Sequence, residues 1–303
     1  MTKKIGLVSV LVLLVGMAVG CSPGVPAPGE LVDDSGRAIT VNEVPQRIVS
    51  HVPSITEILF ALDLGEQVVG VSTYCDYPPE AQLKPKVGDF WSPSIENIVA
   101  LRPDLVFTTG DNQPLITELD RLGIACIALQ PGDIDGVLRD IELVGRVTNT
   151  EERAGELVND MRERISSVVS RVAGAPQPRV FYIVDSTNLN APWAAGPGSF
   201  IDSLITMAGG ENIGAKAEAR WAAFSIEEVV TSDPEIIIVP AKDGVPFTSP
   251  EQLKAHPIWG KMTAVKQGRI SIIDDDLVSL YGPRVVMGLE EMAKIIHPEL
   301  FSP

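Results

Sequence analysis

The six residues Ser94-Ile95-Glu96-Asn97-Ile98-Val99 have a counterpart 131 positions later, Ser225-Ile226-Glu227-Glu228-Val229-Val230. Each block runs on to a proline and an acid, Pro103-Asp104 and Pro234-Glu235, and then to an apolar run. A serine at the head of each block suits a helix N-cap, and Ser225 with Glu228 has the spacing of a capping box. The proline stops the helix. An apolar run without alternation fits a strand buried on both faces, as in a parallel sheet. A second pair keeps the same order. Arg47-Ile48-Val49 and Arg179-Val180-Phe181 open β runs, each followed by an apolar helix, over 55–62 and 200–207. These helices are expected to end in left-handed caps at Gly65 and Gly210. Two copies with unequal loops predict a duplicated α/β lobe, not a solenoid.

Between the copies, Asn149-Thr150-Glu151-Glu152 gives a polar, acidic helix start, and Leu157, Met161, Ile165 and Val168 recur at helical spacing. Gly174-Ala175-Pro176-Gln177-Pro178 closes the stretch. One helix of about 24 residues, or about 36 Å, is expected. A single long helix couples two lobes stiffly, so lobe motion should be on the order of a few degrees. The expected α/β organisation is a signal peptide over 1–20, a tether over 21–31, an N-terminal lobe over 32–148, a linker helix over 149–174 and a C-terminal lobe over 175–303. Asp33-Asp34-Ser35-Gly36-Arg37 followed by Ala38-Ile39-Thr40-Val41 reads as a small hairpin.

Lys3 and Lys4 precede an apolar run over 5–19, too short for the roughly 20 residues of a bilayer span and suited to a signal peptide. Ala18-Val19-Gly20-Cys21-Ser22 resembles a bacterial lipobox, which implies cleavage before Cys21 and its lipidation. The mature protein would then work outside the cytoplasm, held to the outer face of the cell membrane or periplasmic. The Pro- and Gly-rich stretch 22–30 suits a tether. Of the remaining cysteines, Cys75 and Cys126, the compartment permits a disulfide and the spacing does not demand one. With 24 Lys and Arg against 40 Asp and Glu, the net charge of −16 argues against a nucleic-acid partner.

Pro45-Gln46-Arg47-Ile48-Val49-Ser50, Pro53-Ser54-Ile55-Thr56-Glu57-Ile58, the stretch 69–81 and the block 94–106 together resemble the substrate-binding proteins of the iron-siderophore, haem and vitamin B12 ABC importers. Residues 74–81, the doublet Phe90-Trp91 and Trp221 are most similar to the cobalamin-binding branch. The resemblance covers about residues 32–298. It implies two α/β lobes joined by a helix, of the class III periplasmic-binding-protein kind, with a corrinoid held between them. It implies delivery to an ABC importer permease dimer with its ATPase subunits, by a monomer that is not an enzyme and has no resident cofactor.

A corrin ring is broad, flat and largely apolar, with amides on its rim, so its site needs wide aromatic contacts and a few polar groups. In open α/β sheets such a site lies beyond the carboxyl ends of strands. The corresponding loops are 50–54, 73–77, 89–94, 109–112, 185–193, 220–221 and 275–281. They supply Tyr74, Phe90, Trp91, Trp193, Trp221 and Tyr281 as aromatic candidates, and Ser54, Asp76, Asn112 and Asp276 as polar ones. Asp76 could equally cap a turn. Trp259 lies away from these loops and is expected to be structural. Leu280 stands where the cobalamin branch can carry an arginine, which bears on how a nucleotide loop is held. His51 is either an axial ligand to cobalt or iron or a hydrogen-bonded loop histidine, and the second is expected. No metal site is expected otherwise.

Glu96 and Glu227 hold the same place in the two copies. The resemblance implies that this pair engages arginines on the two permease subunits, while position alone would account for them as first-turn acids. Haem or a ferric siderophore is the alternative cargo. Anionic siderophores call for several cleft cations, and Arg220 and Arg284 are the nearest. Three scattered histidines and no nucleophile elbow, P-loop or Gly-x-Gly-x-x-Gly leave little basis for an enzyme, with a hydrolase as the remaining class.

Overall fold

The computed structural model describes residues 31–41, 43–185 and 187–301. The signal segment, Cys21 and the tether up to residue 30 lie outside the described residues. The first four strands are β1 (Ile48–Ser50), β2 (Val68–Val71), β3 (Leu105–Thr108) and β4 (Ala125–Ala128). They form a parallel sheet in the order β2-β1-β3-β4. The second sheet holds β5 (Arg179–Asp185), β6 (Trp193–Ala195), β7 (Glu211–Asn212), β8 (Trp221–Ala223), β9 (Ile236–Lys242), β10 (Val245–Pro246) and β11 (Ile270–Asp274). Its parallel part runs β7-β5-β9-β11, the same order as the first sheet. An antiparallel ribbon, β6 and β8, is added beside β5.

The helices of the first half are α1 (Pro53–Ala61), α2 (Pro79–Gln82), α3 (Ile95–Ala100), α4 (Gln113–Leu122) and α5 (Ile134–Thr148). The linker is α6 (Glu151–Val172). The second half adds α7 (Phe200–Met207), α8 (Ile226–Ser232), α9 (Pro250–Ala255), α10 (Thr263–Lys266), α11 (Asp275–Ser279), α12 (Val285–Ile296) and α13 (Pro298–Phe301).

The duplication extends to side-chain detail. Ser94 caps α3 and Ser225 caps α8, the latter with the full capping box. Arg47 donates to the carbonyls of Leu101 and Arg102, and Arg179 to those of Ser232 and Asp233. Asp104 accepts from the Arg47 amide and Glu235 from the Arg179 amide. Each arginine thus satisfies the orphan carbonyls at the end of the short helix beside it.

Burial of Ala154, Val158, Met161, Val168 and Val172 gives α6 one apolar face, which packs on α5 on one side and α12 on the other. Arg164 forks onto Glu290 of α12 at 2.8 and 2.9 Å. The helix has 22 residues, because Asn149 belongs to the preceding turn as the left-handed cap of α5.

Three further expectations change. Leu62 caps α1, and Asp63, not Gly65, takes the positive φ, while Gly209, not Gly210, does so after α7. The helix spans themselves stand close to expectation: α7 ends at Met207 as its apolar run suggested and α1 one residue early, at Ala61. Gly210 is needed for space instead, since a Cβ there would meet Val180, Ile296 and Ile205 at 2.9–3.1 Å. The hairpin reduces to one antiparallel bridge, Val32 with Ala38, around a turn held by the buried Asp33 carboxylate. Cys75 and Cys126 are free, and burial pushes the Cys126 thiol up to about 12.

Candidate functional site

The carboxyl ends of β1 to β4 face those of β9 and β11 across a cleft of about 540 Å³. The first lobe supplies Ser54, Thr73, Tyr74, Asp76, Phe90, Trp91, Thr109, Asp111 and the segment 129–131, and the second supplies Lys242, residues of α11 and the Leu280-Tyr281 pair that follows it.

Local chemistry sets the aromatic wall. The Asp89 carboxylate accepts from the amides of Trp91 and Ser92 at 2.8 and 2.6 Å, an Asx turn that lifts the indole outward. Gly88 makes that turn feasible, with φ of +101° and the backbone of Ser92 and Ser94 within 2.7 Å of where a Cβ would stand. Trp91 is consequently 81% exposed. Phe90 meets it edge-on at 4.7 Å and lies flat over His51 at 5.9 Å. On the facing side Tyr281 stacks on Phe200 at 4.3 Å.

Polar groups crowd the floor. The Lys242 ammonium donates to Asp276 at 2.7 and 2.8 Å and to Asp76 at 3.3 Å, so one cation bridges the two lobes. Burial works against its charge, but the two carboxylates outweigh burial and hold its pKa above the ordinary lysine value. Burial raises the Asp275 carboxyl, which accepts from the Ser279 hydroxyl at 2.6 Å. Asp111 accepts from the Gln130 side chain at 2.7 Å. Among the described lining residues, Lys242 thus stands against Asp76, Asp111, Asp275 and Asp276.

Beside the cleft a second contact joins the lobes. Arg284 donates to Glu57 at 2.6 Å and lies 4.0 Å over the Tyr77 ring. Glu57 is 4% exposed.

Seven sequence candidates come together here: Ser54, Tyr74, Asp76, Phe90, Trp91, Asp276 and Tyr281. Asn112 does not line the cleft; it caps α4 and donates to the Phe90 carbonyl at 3.4 Å. Trp193 and Trp221 also lie outside this lining, on the β6–β8 ribbon. Register pairs Trp193 with Ala223 and Ala195 with Trp221, which stands both indoles on one face of the ribbon. His51 is buried, with its ring nitrogens against Thr108 Oγ1 and the Asp89 carbonyl, and burial lowers its pKa. Both nitrogens are engaged, so it is a structural histidine. Trp259 is fully buried and donates to the Leu189 carbonyl, as a structural residue would.

Sequence reading missed Lys242 and the segment 129–131. The repeat carried the signal for the lysine. At the 131-residue offset it matches Asp111, one of the first lobe's cleft residues.

Glu96 and Glu227 are exposed on α3 and α8 and line no part of this cleft. Among the described residues, no helix is long and apolar enough to cross a membrane.

The sequence profile described as periplasmic binding protein matches residues 48–277. An uncharacterised ABC transporter substrate-binding lipoprotein, YvrC, of Bacillus subtilis is 29% identical, with both chains covered in full. The vitamin B12-binding protein of Salmonella typhimurium is 28% identical over 82% of this chain and 90% of its own. Among solved structures, the periplasmic haem-binding protein RhuT of Roseiflexus superposes with a TM-score of 0.73 at 26% identity, covering 84% of this chain and 99% of that one.

Proposed function

The chain belongs to the periplasmic binding protein family, as a solute-binding component of an ABC importer, and from that premise we propose that its cargo is a corrinoid. The charge of the cleft carries this reading. Four aspartates against one lysine form a poor seat for an anion, because like charges in a partly dehydrated cleft repel. Haem brings two propionates and siderophores are commonly anionic. A corrinoid brings rim amides, whose N–H groups donate to carboxylates, and broad faces for Tyr74, Phe90, Trp91 and Tyr281. A vitamin B12-binding relative supports the choice.

Haem remains a second reading on one observation, the half-exposed Tyr74 phenol at the cleft, a group able to act as an axial ligand. The test is direct. The full chain in detergent is incubated with cyanocobalamin, haemin or a ferric hydroxamate, desalted and examined by absorbance. Cobalamin bands should co-elute; haemin bands alone would overturn the corrinoid.

Delivery follows from the same premise. Residues 32–148 and 175–303 act as the two lobes, and Glu96 and Glu227 offer one carboxylate per lobe to cations on the two permease subunits. The chain binds and hands over its cargo as a monomer without catalysing a reaction. Cys21 carries a lipid anchor that keeps the chain at the membrane outside the cytoplasm.

A further inference from the structure

α3 and α8 repeat an exposure pattern that charge alone does not explain. In α3 Glu96 and Val99 are exposed and Ile98 is buried. In α8 Glu227 and Val230 are exposed and Val229 is buried. Glutamate and valine stand three positions apart in both, so they share a helix face. Val99 is 41% exposed and Val230 47%. A buried apolar residue already anchors each helix to its lobe, leaving the outer valine without a packing role there. A single exposed valine is unremarkable on any surface. The same valine beside the same exposed acid in both copies is a repeated surface, although neighbouring positions differ: Asn97 answers to Glu228 and Ala100 to Thr231.

We infer that each lobe presents a two-part contact, a carboxylate with an isopropyl group beside it, to the permease dimer. This rests on the reading that Glu96 and Glu227 dock there. Charge complementarity gives the partner's chemistry: one cation per subunit, with an aliphatic side chain next to it. A duplicated surface meets a partner of two like subunits, since repeated patches require repeated counterparts. The carboxylates steer encounter and set register, and the valines exclude water around the ion pairs and slow release.

The test uses the full chain and its cognate permease–ATPase complex in nanodiscs, with binding measured at low salt and in 0.5 M salt. Val99→Ser with Val230→Ser should weaken binding about tenfold, mainly through faster dissociation, and keep the salt dependence. Val99→Leu with Val230→Leu should hold binding within about twofold. Glu96→Ala with Glu227→Ala should weaken binding and flatten the salt dependence. Loss in the glutamate pair with the serine pair unchanged would overturn the valine contact and leave charge docking standing. No change in the glutamate pair would remove the docking reading itself. Cyanocobalamin binding and thermal unfolding, followed in every variant, separate these outcomes from misfolding.

Discussion

The two lobes share a strand order, β2-β1-β3-β4 and β7-β5-β9-β11, and an arginine clamp on a short capped helix. They differ in what they add to it. The first lobe builds its cleft wall from bare loops at strand ends and lifts Trp91 on an Asx turn. Behind that wall lies an acid pair, Asp140 buried and Asp34 exposed. Asp140 of α5 faces the Asp34 carboxylate, and Asp34 accepts from the Gln130 amide at 2.6 Å, in the segment that lines the cleft. The second lobe sets an antiparallel ribbon beside β5, and its tryptophans stand on that ribbon. Duplication preserved what the sheets require, and the loops beyond the strand ends were free to diverge.

The acid pair offers the largest way to break this comparison. Burial, with Asp34 nearby, raises the Asp140 carboxyl to about 8. Unfolded, it would titrate near 3.8, so between about pH 4 and 8 the folded chain holds a proton that the unfolded chain has released. Its stabilising contribution is complete below pH 4 and is lost as pH rises to about 8, by up to about 1.4 kcal/mol per unit. Urea midpoints from pH 5 to 8 should therefore fall in the parent, and Asp140→Asn should flatten the fall. Hydrogen exchange should show α5 loosening before α12 as pH rises; the reverse order would contradict the asymmetry.

Arg284→Ala comes next. It strands the Glu57 carboxylate in a buried position between the lobes and should cost about 3 kcal/mol in chemical unfolding. A loss under about 1 kcal/mol would mean that the contact is not a clasp.

The two tryptophans then separate the lobes as ligand walls. Trp91→Ala should lower corrinoid affinity by about 2 kcal/mol in titration calorimetry. Trp221→Ala should cost at least about 1 kcal/mol. If Trp221→Ala had no measurable effect, the ribbon would be no part of the site, and the first lobe would supply the indole contact alone.

Much of this was legible in the chain because the constraints were local or periodic. Ser94, Ser225, Pro103 and Pro234 announce short helices before buried strands, and those elements are present. Phe90, Trp91, Tyr74 and Tyr281 were legible as cleft residues because loops at strand carboxyl ends must face it. Asn112 was misplaced because an asparagine before a helix serves equally as a cap, and its side chain bonds the Leu115 amide. The left-handed residues after α1 and α7 were misassigned because an aspartate, Asp63, also takes a positive φ and Gly209-Gly210 offers two candidates, of which Gly209 takes it.

By itself the sequence determined a duplicated α/β scaffold with one linking helix and aromatic loops, since capping, periodicity and proline act within a few residues. Only the tertiary structure decided that Lys242 reaches Asp76 across 166 positions and Arg284 reaches Glu57 across 227. Such pairs depend on how two sheets far apart in the chain are set with their strand ends facing, and no local propensity encodes that distance.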